Sequence, residues 1–157
     1  MAPIKRSVEL QPLSRQHHNG LLFCFFIEKG IKKHADKILM KDFCMYFWES
    51  DLQHHFEIEE KYLTSFSSYP ELKEVINKML SDHVYIRKFF ENPDILTEES
   101  IFDQLRQLLD DHIRFEEREL YSLIQETISS DELIELGHVF ENETNNICTS
   151  YPIKFWE

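Results

Sequence analysis

Leu72, Ile76, Met79, His83, Ile86 and Phe90 recur at steps of four, three, four, three and four residues. That spacing lays one stripe down one side of an α-helix. The stripe must be buried against something, so a chain built from several such segments has few ways to fold. Leu105, Leu109, His112, Glu116, Leu120 and Leu123 form a second stripe, and Ile38, Trp48, Leu52, Phe56, Tyr62 and Leu63 a third. A further apolar segment lies near the start, where His18, Leu21 and Phe25 keep the same step. Four amphipathic segments joined by short breaks predict an all-α fold. Its simplest form is an antiparallel up-down-up-down four-helix bundle with a short extra C-terminal helix.

The breaks carry ordinary punctuation. After an extended leader over residues 1–12, Ser14 is placed to cap a first helix ending near Lys33, with Gly30 close to its end. Asp36 caps a second helix running to about Phe66. Ser67, Ser68 and Pro70 break the pattern, and Pro70 suits a first helical position. Asn92 and Pro93 end the third helix, and Thr97 is placed to cap the fourth. Ser129 and Glu132 have the spacing of a capping box for a short helix over roughly 130–143. The aromatic tail Tyr151–Glu157 is expected to fold back on the bundle. With 157 residues the chain is expected to be a single domain, bundle about 12–128 and short helix and tail 129–157.

A net charge of −12 argues against nucleic acid or an anionic membrane surface as a partner. Cys24, Cys44 and Cys148 match no zinc or redox spacing and read as reduced thiols. Met1 to Leu10 contains no apolar signal core, and the apolar stretch Leu21–Ile27 is too short to cross a bilayer. A cytoplasmic location is therefore expected.

Two stripes contain polar residues where apolar ones belong. His55 and Glu59 interrupt Trp48, Leu52, Tyr62 and Phe66, and His112 and Glu116 interrupt Leu109, Leu120 and Leu123. A buried carboxylate without a partner costs several kcal/mol, so each needs one. A His and a Glu four residues apart share a helix face and reach the same point on the bundle axis. The arrangement occurs twice, as His55-x-x-x-Glu59-Glu60 and His112-x-x-x-Glu116-Glu117. The first and third helices also match, through His18-x-x-Leu21-x-x-x-Phe25 and His83-x-x-Ile86-x-x-x-Phe90. The chain thus reads as two helical hairpins about a pseudo-two-fold axis.

The first helix has adjacent histidines. His18 keeps register with Leu21 and Phe25, whereas His17 shares a face with Gly20 and Cys24, so His18 is the chosen candidate. His55 is preferred to His54, which lies with Asp51, Ile58 and Lys61. Glu60 and Glu117 read as solvated, and His34 and His138 as ordinary core or boundary residues. His18, His55, Glu59, His83, His112 and Glu116 are then the candidate metal ligands. Imidazole with carboxylate suits iron, manganese or zinc. Six donors exceed a closed tetrahedral zinc site, and two carboxylates from opposite hairpins can bridge two ions. A ferritin-like arrangement needs Glu-x-x-His twice, and that pattern occurs once, at Glu135-x-x-His138.

Leu13-Ser-Arg-Gln-His-His18, His55-Phe-Glu-Ile-Glu59-Glu60, Asp82-His83-Val-Tyr-Ile-Arg87 and His112-Ile-Arg-Phe-Glu116-Glu117-Arg118 resemble the hemerythrin-like family, the HHE cation-binding domain, over roughly residues 10–125. The resemblance implies an antiparallel four-helix bundle holding two iron ions (Fe2+/Fe3+) with a bridging oxo or hydroxo group. His18, His55, His83 and His112 would be terminal ligands, and Glu59 and Glu116 would bridge. Oxygen-carrying members have a second His one turn after the third-helix His, where this chain has Arg87. They also place an Asp five residues after the fourth-helix His, where this chain has Glu117. These departures favour members that sense iron and oxygen and leave one iron with an open position. Arg87 is either a salt-bridging surface residue or a donor to a ligating Glu or a bound oxygen species.

The function expected is binding or sensing of dioxygen and iron at a His4Glu2 diiron centre, metal and oxygen binding rather than turnover, with manganese or zinc as alternative metals. Dioxygen, another small diatomic or peroxide is the expected partner. The alternatives are a diiron enzyme acting on peroxide or nitric oxide, or an iron-responsive helical interaction domain.

Overall fold

The computed structural model describes residues 5–144 and 151–157 and is helical, with no strand among the described residues. Helices α1 (Gln11–Lys32), α2 (Lys37–Phe47), α3 (Gln53–Leu63), α4 (Lys73–Glu91), α5 (Glu99–Phe115), α6 (Tyr121–Thr127) and α7 (Ser130–Glu143) follow in order. A π-helical turn, Trp48–Leu52, joins α2 to α3, and another, Glu116–Leu120, joins α5 to α6. Backbone dihedrals stay helical through these junctions, so each trio runs on as one rod.

Several boundary expectations hold. Asp36 accepts hydrogen bonds from the Ile38 and Leu39 amides, Pro70 opens a 3-10 turn before α4, and Ser129 with Glu132 forms a full capping box. Two caps fall elsewhere. α1 starts at Gln11 without a side-chain cap, and Ser14 donates instead to Glu117. Glu98 rather than Thr97 precedes α5, and the Thr97 hydroxyl bonds the Ile95 carbonyl. Cys148 lies outside the described residues, while Cys24 and Cys44 are buried free thiols.

The buried apolar residues form two clusters. One gathers Phe23, Ile27, Met40, Phe47, Ile86, Phe90, Phe102 and Leu109. The other gathers Leu13, Leu63, Leu72, Ile76, Met79, Leu120, Ile124 and Phe140. Between them along every long rod sit the buried polar residues His17, His55, Glu59, His83, His112 and Glu116. α1 passes from the second cluster through His17 to the first. The α2–α3 rod runs the other way, α4 follows α1, and the α5–α6 rod again reverses. A polar layer is therefore sandwiched between two dry cores.

α1 lies mainly along α5. The approach is close at Gly20, where an added Cβ would stand 2.6 Å from Ile113 Cδ1. Gly30, near the end of α1 as expected, is equally constrained. A Cβ there would come within 2.7 Å of the Phe155 ring. The tail does fold back as expected: Trp156 stacks on Phe26 with centroids 4.1 Å apart.

Candidate metal centre

Six side chains meet in the polar layer. Glu59 Oε1 lies 3.2 Å from His55 Nε2 and 3.3 Å from His83 Nε2. Glu116 Oε1 lies 2.9 Å from His17 Nε2, 3.3 Å from His112 Nε2 and 3.8 Å from His55 Nε2, and its Oε2 is 3.9 Å from His83 Nε2. Two groups of donors, His17–His55–Glu59–Glu116 and Glu59–His83–His112–Glu116, each have ligand atoms within 4.8 Å of one another. Both carboxylates belong to both groups.

The inward atoms His55 Nε2, His83 Nε2, His112 Nε2, Glu59 Oε1 and Glu116 Oε2 are buried without a hydrogen-bond partner. Unsatisfied polar atoms in a protein core are rare and each costs about 1–3 kcal/mol. Here they converge on shared points, where a cation would satisfy them all at once. A nitrogen-and-carboxylate donor set fits iron, manganese or zinc.

Each imidazole is aimed by what its Nδ1 meets. His17 Nδ1 pairs with Glu117 at 3.0 Å, His55 Nδ1 with Gln16 Oε1 at 2.6 Å, His83 Nδ1 with Glu60 at 2.6 Å and His112 Nδ1 with Asp82 at 2.9 Å. Such outer acceptors fix the tautomer and leave Nε2 free to face a metal. Three acceptors are carboxylates, and a cation holds each: Arg6 on Glu117 at 3.1 Å, Arg87 on Glu60 at 2.7 Å and Lys78 on Asp82 at 3.0 Å. Outer charges are thereby neutralised, so the uncompensated negative charge at the centre belongs to Glu59 and Glu116. Tyr121 completes the layer. Its hydroxyl donates to Glu59 Oε2 at 2.7 Å and its ring stacks on His17.

Without a cation the cluster neutralises itself with protons. Burial pulls the His55 imidazole down, yet Glu59 and Glu116 outweigh it and push it up to about 10. His112 is raised to about 9 against the same burial by Glu116 and Asp82, and His17 is raised by Glu116 and Glu117. Burial works to raise Glu116, but His112 and its hydrogen-bonding neighbours hold it well below the usual carboxylate range. Burial, Glu116 and Glu59 keep Tyr121 a protonated phenol.

His55, Glu59, His83, His112 and Glu116 are brought together as the stripes suggest, but His18 is not. His18 is exposed on α1, and so are its register partners Leu21 and Phe25, at 36% and 52%. The buried face carries His17, Gly20, Cys24 and Ile27, because α1 approaches α5 too closely for anything larger than glycine at position 20. Small buried residues thus disguised the true stripe. Glu60 and Glu117 are half-buried acceptors rather than solvated residues. Sequence reasoning passed over Gln16, Asp82 and Tyr121 as well. A signal was present for Asp82, which precedes His83 one turn after Lys78. Arg87 forms a bidentate pair with Glu60 at 2.7 and 3.1 Å, so it is a salt bridge that acts on His83 through Glu60.

A cavity of about 20 Å³ adjoins the His17–His55 end, between Gly20, Phe47, Leu52, Leu109 and Ile113. That is room for one water-sized molecule. At the other end Phe56 stacks on His83 at 3.8 Å, with the Arg87 guanidinium beyond its ring. The cavity wall includes His17, His55 and His112 but not His83, so the open space lies away from the position that Arg87 suggested in the sequence.

Residues 13–124 match the family model for the hemerythrin HHE cation binding domain. The chain belongs to this family. Comparison with curated proteins and with solved structures gives no match. Among the described residues no helix is long and apolar enough to cross a membrane.

Proposed function

We propose that this hemerythrin-family chain is a single-domain, cytoplasmic, non-haem diiron protein that binds or senses dioxygen or a comparable small ligand. Its long rods are read as an antiparallel up-down-up-down four-helix bundle, supported by the alternating order in which they meet the two cores. The proposed ligands are His17 and His55 for one ion, His83 and His112 for the other, and Glu59 and Glu116 shared by both. His17 takes the role that register assigned to His18.

The observation carrying this reading is that the same two buried carboxylates complete both donor groups. A single ion would leave one pair of Nε2 atoms unsatisfied. Each ion would take four protein donors, two imidazoles and two shared carboxylates. Iron is favoured because it keeps open positions beside imidazole and carboxylate ligands, whereas a structural zinc site closes at four. When bound, the iron pair supplies electrons and an open coordination position. The chain supplies the rest. Glu117, Gln16, Glu60 and Asp82 hold the imidazoles, Tyr121 holds Glu59, and the cores exclude bulk water from a pocket sized for a very small ligand. Buried reduced Cys24 and Cys44 agree with a reducing compartment.

The test is optical. Anaerobic, ferrous-loaded protein exposed to air is expected to develop the near-ultraviolet and visible bands of an oxidised, oxygen-bridged iron pair. Protein that holds iron yet stays featureless would rule out oxygen chemistry at a coupled pair.

A further inference from the structure

One polar side chain in the wall of the small cavity has no role in the centre as described. Asp51 lines the cavity with Gln16, His17, His55, His112 and Glu116, while the rest of the lining is apolar. Gln16 is already committed to His55 Nδ1. Asp51 is not a member of either donor group. Its Oδ2 is buried and has no hydrogen-bond partner.

Asp51 as a whole is half-buried, but leaving one carboxyl oxygen buried and unpaired is costly and calls for an explanation. Asp51 sits in the π turn Trp48–Leu52, where the Gln53 amide reaches back to the Trp48 carbonyl. Wide turns of this kind are uncommon and gather at functional sites. A carboxyl group is also the wrong lining for a space meant to hold a purely apolar gas. A carboxylate accepts hydrogen bonds, so it suits a small molecule that brings a proton of its own.

We propose that Asp51 is a ligand-contact residue of the cavity, hydrogen-bonding to the small molecule held beside the His17–His55 end. It would thereby favour ligands that bring a proton of their own, such as hydroperoxide, over aprotic nitric oxide. This rests on the iron-binding reading above. A ligand in a cavity of about 20 Å³ cannot avoid the cavity's own wall. The polar groups there are Gln16, the members of the centre and Asp51, and among them Asp51 carries an uncommitted oxygen outside the centre.

The test compares wild type, Asp51→Asn and Asp51→Leu, each loaded with iron and assayed for iron content. Hydrogen peroxide affinity is measured on the oxidised protein and nitric oxide affinity on the reduced protein. Loss of one hydrogen bond is expected to weaken peroxide about tenfold in Asp51→Leu. Nitric oxide affinity is expected to change less than about threefold, because an aprotic ligand gains little from the contact. Asp51→Asn, which keeps an acceptor oxygen, is expected to stay near wild type. Peroxide affinity in Asp51→Leu equal to wild type at equal iron content overturns the proposal. So does an equal loss for both ligands, which would mark a residue that only shapes the fold. A wild-type chain that holds no iron overturns the metal reading itself, and this inference with it.

Discussion

His83 presents its Nδ1 to Glu60 at 2.6 Å, and its other ring nitrogen stands 3.3 Å from Glu59, the residue just before Glu60. Adjacent glutamates on one helix thus grip the same ring from opposite sides, one in the centre and one outside it. Arg87 fixes the outer one through two hydrogen bonds. Glu60→Ala is therefore expected to weaken metal binding about 10–100-fold, with Arg87→Ala in the same direction and smaller. Competition against a chelator of known affinity measures both. Unchanged affinity in Glu60→Ala would mean that ring orientation does not matter here.

His17 and His18 offer a sharper contrast because they are neighbours. His17→Ala is expected to lose metal from its end of the centre, since its Nε2 lies 2.9 Å from Glu116. His18→Ala is expected to match wild type, because His18 is exposed. Metal content per chain after gel filtration decides between them. Loss in His18→Ala would restore the register argument.

That contrast marks how far the sequence was legible. The α4 stripe from Leu72 to Phe90 is buried as its spacing implies, because large apolar residues define it throughout. His55, Glu59, His112 and Glu116 were equally visible as polar residues on apolar stripes. The α1 stripe was not, since a helix lying tight against its neighbour buries Gly20 and Cys24 while Leu21 and Phe25 face outward. Ile38, counted on the α2 stripe, is likewise 70% exposed. Glu60, Glu117 and Asp82 were hidden for another reason. A charged residue at the edge of a stripe has the same pattern whether it is solvated or holds an imidazole from a different helix. The two π turns leave no periodic mark of their own.

The metal-free protein should weaken in alkali. His55 is pushed up to about 10 and His112 to about 9, both above the ordinary histidine value. A histidine raised in the folded state stabilises fully below its unfolded pKa of about 6.5, and that contribution fades as pH rises through the folded value. Melting temperature of metal-free protein is expected to fall between about pH 8 and pH 10.5. Metal needs the same nitrogens without protons, so loading near pH 7 is expected to release protons into weak buffer. Melting that does not change across this range would show the imidazoles to be neutral without metal.

Tyr121→Phe removes the donor to Glu59 Oε2 and leaves that oxygen buried. The expected cost to metal-free stability is about 1–3 kcal/mol in urea denaturation. Iron content is expected to survive, because the phenol is not a member of either donor group. A loss of iron with no loss of metal-free stability would make Tyr121 a ligand instead of a support.

The most direct measurement is the number of irons held by the purified chain after anaerobic reconstitution, in wild type and in a His55→Ala, His83→Ala double variant. About two per chain are expected in wild type, against a marked loss in the variant, as for a site whose ligands come from several helices. A wild type with no more iron than the variant would contradict a shared centre at Glu59 and Glu116.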